Sequence, residues 1–155
     1  MFLTEKRSGE IKARACANGS TQRTHIAKEE ATAPTVTSEA IFIQGTIFAH
    51  EKRDVATCDI PGAFLQADNP DYVLMRIDGI LAELMVQVAP SLYRKYITSN
   101  AKGKPILYVQ LEKVVYGMMK SALLFYRKLV ADLTSLGYEI NPYDYICELP
   151  HPTNC

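Results

Sequence analysis

A chain of 155 residues with 48% hydrophobic and 22% charged side chains has the composition of one globular domain with a core, which excludes a disordered tail. Seventeen basic and seventeen acidic residues cancel, so the overall charge announces no nucleic-acid partner. No basic start followed by an apolar run marks a leader, and no stretch reaches the ~18 apolar residues of a membrane helix, so a soluble, intracellular protein without a membrane partner is expected.

The chain opens on two strand-like runs, Phe2 to Arg7 and Ile11 to Cys16, separated by Ser8, Gly9 and Glu10, which predicts an exposed or edge hairpin. Met1 lies directly before the first run, as expected of a chain that begins inside a domain. Residues 1–28 carry six cations, Lys6, Arg7, Lys12, Arg14, Arg23 and Lys28, against Glu5 and Glu10. That local excess of four positives fits a modest basic patch or a solvated strand face equally well. From Thr21 to Pro34 apolar periodicity is lacking and a loop with a turn of helix is expected. Thr37 or Ser38 then caps a helix running to about Arg53. Its apolar residues, Ala40, Ile41, Phe42, Ile43, Ile47 and Phe48, leave little polar face, so it should be largely buried, with Gly45 marking a close contact.

Residues Val55 to Ile60, rich in β-branched side chains and stopped by Pro61 and Gly62, predict a short strand. Alternation would place Val55, Thr57 and Asp59 on one face and Asp54 on the other. A carboxylate at Asp59, just before the Pro-Gly break and Phe64, either caps the following turn or binds a cation. A second strand, Tyr72 to Ile77, is expected to pair antiparallel with the first. An apolar helix follows Gly79, interrupted at Pro90, and Ile106 to Glu112 alternates as a strand. The clearest helix has Ser121 as its cap and Gly137 as its stop, with Phe125, Leu129, Val130, Leu133 and Leu136 on one face and Arg127, Lys128, Asp132 and Ser135 on the other. The run YEINPYDYI adds a last short strand. Cys16, Cys58, Cys147 and Cys155 form no CxxC pair, and His151 with Cys155 offers only two ligands, so free thiols in a reducing compartment are expected.

Four blocks of the chain resemble, in order, the reverse transcriptase domain of copia-type LTR retrotransposons. IKARACANGSTQ (Ile11 to Gln22) is similar to that family's KARLVARGxTQ, and EEATAPTV (Glu29 to Val36) to its ETFAPVV. CDIPGAFLQADNPDYVLMRI (Cys58 to Ile77) resembles LDVKTAFLNGELEEEVYM. LEKVVYGMMKSALLFYRKL (Leu111 to Leu129), followed by LGYEINPYDY, resembles LKKSLYGLKQSPRQWYKKL and LGFxxSxYDP. The resemblance spans nearly all of residues 1–146.

It implies an α+β fold: right-hand polymerase fingers over about 1–53, then the first part of the palm with interleaved fingers over about 54–146, an antiparallel sheet with packed helices, and a divergent tail at 147–155. The implied activity is RNA-directed DNA polymerisation, in which two Mg²⁺ ions activate the primer 3′-hydroxyl and stabilise the departing pyrophosphate. Asp59 matches the family's metal-binding catalytic aspartate, with the Ile60 carbonyl as a second contact to the metal. Phe64 matches the aromatic position under the incoming sugar, which would exclude a 2′-hydroxyl; the same residue would equally suit a core position after the turn. Lys12 and Arg14 match fingers positions near the triphosphate. Tyr116 and Gly117 match a tight turn at the template and nucleotide. The implied partners are an RNA template, a DNA primer, deoxynucleotides and the remainder of a polyprotein, in the cytoplasm, a virus-like particle or the nucleus.

The chain departs from that family in three respects, of which the tail at 147–155 is one. Met119, Lys120, Ser121 and Ala122 replace KQSP, and no Asp-Asp pair occurs in the 155 residues, where the family's second palm motif is an aromatic-x-Asp-Asp hairpin. One carboxylate does not assemble a two-metal site. The expectation is therefore a truncated reverse transcriptase, inactive by itself; a non-catalytic nucleic-acid-binding or assembly module and a relic reading frame without function are the alternatives.

Overall fold

The structure, a computed structural model, describes residues 2–140 and 147–148. In chain order the elements are β1 (Phe2–Glu5), β2 (Ile11–Arg14), a 3₁₀ turn (Gly19–Thr24), α1 (Lys28–Ala31), α2 (Ser38–Glu51) and α3 (Ala63–Gln66). They continue with β3 (Leu74–Asp78), α4 (Ile80–Val88), α5 (Pro90–Tyr93), a second 3₁₀ turn (Arg94–Tyr96), β4 (Thr98–Ser99), β5 (Pro105–Gln110), α6 (Ser121–Ser135), β6 (Glu139–Ile140) and β7 (Cys147–Glu148). Every described strand pairing is antiparallel, and the class is α+β, as expected. The chain divides into two compact units: residues 68–113, and the segments on either side of them.

In the outer unit β1 and β2 form the expected hairpin, with Lys12 opposite Thr4 and Arg14 opposite Phe2. Gly9, at φ +79°, turns the chain, and Lys6 pairs with Glu10 at 2.5 Å. The segment before α2 folds as expected into a turn and a short helix. Thr37 caps α2, its hydroxyl accepting from the Ala40 amide at 3.2 Å. α6 packs on α3 and α1. Its apolar face carries Phe125, Leu129, Val130 and Leu133 half-buried, while Lys128 and Asp132 pair at 2.9 Å on the other side. Ser121 is the buried first residue of α6 rather than its cap: its hydroxyl donates to the carbonyls of Val115 at 2.8 Å and Met118 at 2.9 Å. Leu136, expected on the apolar face, is exposed beyond the last turn. β6 accounts for the start of YEINPYDYI; residues 141–146 of that run lie outside the described residues.

In the inner unit the sheet order is β3-β5-β4. β5 is central in the sheet, its Ile106 and Leu107 are buried, Leu107 completely, and α4, whose Ala82 is buried, packs against it. Asn69 fastens the entry to this sheet, its side-chain amide donating to the Leu111 carbonyl at 2.8 Å and its backbone amide to the Glu112 carbonyl at 2.9 Å. Asn100 organises the turn before β5, its side-chain oxygen accepting from the amides of Lys102 and Lys104 at 2.9 Å each. On the edge strand Arg76 and Asp78 pair at 2.7 Å, a hydrogen bond that raises the guanidinium pKa above its ordinary value.

Three further expectations are corrected. Residues 53–60 form no strand, so β3 pairs with β5 and not with Val55 to Ile60. The two-residue alternation that would set Asp54 and Asp59 on opposite faces therefore does not apply. α2 buries no residue at all: Phe42 is 75% exposed, and Ile41, Ile43 and Ile47 are exposed with it. The same physical cause accounts for all three. β-branched composition and apolar content report a tendency, and the tendency is realised only where a neighbouring backbone or core is present to receive it.

Candidate functional site

The best-defined polar and aromatic constellation lies in the outer unit, where residues 16–22 meet residues 115–121. Past the hairpin, the Asn18 side chain accepts from the Ser20 amide at 3.1 Å and opens the first 3₁₀ turn. That turn presents Gln22, whose side-chain oxygen accepts from the Met119 amide at 2.9 Å. The Ala17 amide donates to the Tyr116 carbonyl at 2.7 Å. The two segments, about a hundred positions apart in sequence, are thus stitched by one backbone and one side-chain hydrogen bond.

Two glycines make this approach feasible. Gly117 has φ +97°, a conformation that favours glycine, and a Cβ there would collide with the Ala17 carbonyl oxygen and come within 2.6 Å of the Cys16 sulfur. A Cβ on Gly19 would in turn collide with the Gly117 carbonyl oxygen. Ser121 closes the turn from the α6 side, and Lys120 reaches Glu30 on α1 at 3.9 Å.

Tyr116 lies on the outer side of this turn, 65% exposed. Its ring meets that of Phe64 at 5.5 Å with a 36° tilt, and Phe64 meets Phe125 edge-on at 6.0 Å. Phe64 is half-buried, held on α3 against α6. The result is an aromatic cluster in which Phe64 and Phe125 are half-buried and Tyr116 is presented to solvent. Tilted and edge-to-face pairs at these separations are favourable beyond the area that they cover.

Of the residues singled out in the sequence, Phe64, Tyr116 and Gly117 are brought together here. Lys12 and Arg14 are exposed on β2, two positions apart and therefore on the same side of the ribbon, and among the described residues neither is held in an ion pair. β2 ends two residues before Cys16, so the strand that carries both cations runs directly into the stitched segment. Asp59 and Ile60 occupy the irregular stretch ahead of α3, both exposed. Asp59 does not cap the following turn: the residue ahead of α3 is Gly62, in the left-handed conformation, and no side chain caps that helix. Among the described residues the Asp59 carboxylate is engaged by no hydrogen bond or ion pair.

As donors for magnesium, Asp59 and the Ile60 carbonyl supply hard oxygen from one short segment. Among the described residues no group of three or more His, Cys, Asp or Glu is gathered to hold a metal ion. A single carboxylate does not fit the two-ion arrangement.

Sequence alone assigns no site role to Gln22, Gly19, Asn18 or Ser121. A contact between the Asn18-Gly19-Ser20 turn and a turn a hundred residues later has no local pattern. Among the described residues no helix is long and apolar enough to cross a membrane. No family model, curated protein or solved structure matches this chain.

Proposed function

We propose that this chain derives from a copia-type reverse transcriptase, comprising the fingers and the first part of the palm of an RNA-directed DNA polymerase. The observation that supports it most strongly is the junction of residues 16–22 with 115–121. Two of the four blocks that resemble the family, separated by most of the chain, meet through glycines at Gly19 and Gly117 and through Gln22. Phe64, from a third block, packs on the exposed ring of Tyr116. In this reading Tyr116 and Phe64 offer an aromatic surface on which a base or sugar rests, and Lys12 and Arg14 supply charge for phosphate. Asp59 would be the one metal-binding carboxylate present, in a chain whose 155 residues include no Asp-Asp pair.

The 155 residues alone are therefore inactive in nucleotide addition and retain affinity for a primer–template duplex. Primer extension on an RNA template with Mg²⁺ should give no incorporation above an Asp59→Ala control; incorporation above that control refutes the inactivity. Binding of an RNA–DNA duplex at low salt should weaken steeply as salt is raised and fall at least several-fold in a Lys12→Ala, Arg14→Ala double variant. Undetectable binding at low salt refutes the proposed ancestry of the hairpin's role together with the non-catalytic binding alternative.

A further inference from the structure

Asn18 and Gly19, in the middle of the stitched segment, form an Asn-Gly pair. An asparagine ahead of a glycine is able to cyclise, the glycine nitrogen attacking the side-chain carbon Cγ, because the following residue has no Cβ to stand in the way. The chain has five asparagines. Asn69 and Asn141 precede Pro70 and Pro142, which carry no N–H, while Asn100 and Asn154 precede Ala101 and Cys155, which carry a Cβ. The Asn100 side-chain oxygen is also engaged by two amides, those of Lys102 and Lys104. The one Asp-Gly pair, Asp78-Gly79, has the same closure open to it in principle. Its Gly79 amide, however, donates to the Pro105 carbonyl at 2.8 Å, and its carboxylate is paired with Arg76.

Asn18 is held by less. It is exposed, and its side-chain oxygen accepts from the Ser20 amide at 3.1 Å, a bond that polarises the carbonyl to be attacked. Among the described residues neither the Gly19 amide nor the Asn18 side-chain NH₂ donates a hydrogen bond, so the attacking and the leaving nitrogen are both unengaged. What restrains the pair is the junction. At ψ 93° the Asn18 Cβ lies close to anti to the Gly19 nitrogen, so ring closure requires the peptide between them to rotate. Glycine by itself tolerates that rotation. Gly19, however, lies so close to the Gly117 carbonyl that a Cβ would collide with it, and it stands between the Ala17 amide, bonded to Tyr116, and Gln22, bonded to Met119. Rotation therefore needs the junction to open locally.

We propose that Asn18 is a deamidation site gated by this junction: it converts to isoaspartate when residues 16–22 part from 115–121, and it holds them apart afterwards. The Gly19 nitrogen gives up its proton and bonds to Asn18 Cγ, the Cγ–Nδ2 bond breaks, and the NH₂ group leaves with a proton as ammonia. Water then opens the succinimide. Cleavage at Cγ gives aspartate, and cleavage at the main-chain carbonyl gives isoaspartate. The isoaspartate linkage lengthens the backbone by one atom between Ala17 and Gly19 and leaves a free carboxylate there. The anchors on either side, Ala17 on Tyr116 and Gly19 against Gly117, then no longer reach both partners together. Loss of ammonia makes the change one-way.

Ageing the purified 155-residue chain in mildly alkaline buffer, followed by peptide mapping, tests this. The tryptic peptide Ala15 to Arg23 should gain about one dalton and accept a methyl group from an isoaspartyl methyltransferase, while the peptide carrying Asp78 should accept none. Gln22→Ala should speed the conversion about fivefold, as the loss of one ordinary hydrogen bond implies, and sub-denaturing urea should speed it in the unmodified chain. Aged protein should unfold at lower urea than fresh protein. Asn18→Ser keeps a capping oxygen without an amide and should not change on ageing. An intact residue 18 in the native chain while the urea-unfolded chain converts would overturn the proposal. So would a rate unmoved by Gln22→Ala and by urea, isoaspartate at Asp78 as fast as at residue 18, or aged protein as stable as fresh. Because these measurements read covalent state and stability and not duplex binding, their failure is independent of the polymerase ancestry.

Discussion

The junction around Gly117 and the segment around Asp59 belong to the same compact unit and contrast in almost every physical respect. The junction is made of backbone: two glycines without room for a Cβ, an amide donating across a hundred residues of sequence, and a buried serine closing the turn. The Asp59 segment has no regular secondary structure and is exposed along its whole length, without a ladder partner. The residue that chemistry marks as most interesting, a carboxylate, thus sits on the less constrained backbone. Position in a packed site and chemical potency are separate properties. Precise catalysis needs both, since a reacting group must be held within a fraction of an ångström.

Substitutions graded by size sharpen that contrast. Gly117→Val should have the largest effect, because it forces a β-branched residue into a positive φ and into the Ala17 carbonyl; a loss of about 3 kcal/mol or more in urea unfolding is expected. Leu107→Ala, in the completely buried centre of β5, should cost about 2–5 kcal/mol and act on residues 68–113, so hydrogen exchange should quicken there first. Phe64→Ala removes two aromatic contacts from a half-buried position and should cost about 1–2 kcal/mol. Gln22→Ala removes one hydrogen bond to the Met119 amide, for about 1 kcal/mol. Asp59→Asn should change stability by no more than about 0.5 kcal/mol, since the carboxylate is exposed and engaged by nothing among the described residues. A larger loss at Asp59 than at Phe64 would break the contrast.

The hairpin, the helix beginning at Ser121 and the strand leading to Gln110 were legible because each is specified locally. Lys12 and Arg14 fall on one side because strand geometry alternates. α6 shows its face because Phe125, Leu129 and Leu133 recur at helical spacing. The Val55 to Ile60 strand failed for the opposite reason. Its β-branched residues state a preference that only a neighbouring strand can satisfy, and β3 has β5 instead. The apolar content of α2 was likewise read correctly while its burial was not, because burial belongs to whatever lies against the helix.

The candidate site divides along the same line. Asp59, Phe64, Tyr116 and Gly117 stood out in the sequence through residue type, the Pro-Gly break and the ordered blocks, and the family resemblance rests on those alone. Gly19, Gln22 and Ser121 gained meaning only from the tertiary structure. A backbone approach between segments a hundred residues apart has no period and no motif, and what decides it is the absence of a Cβ at two positions that must meet in space.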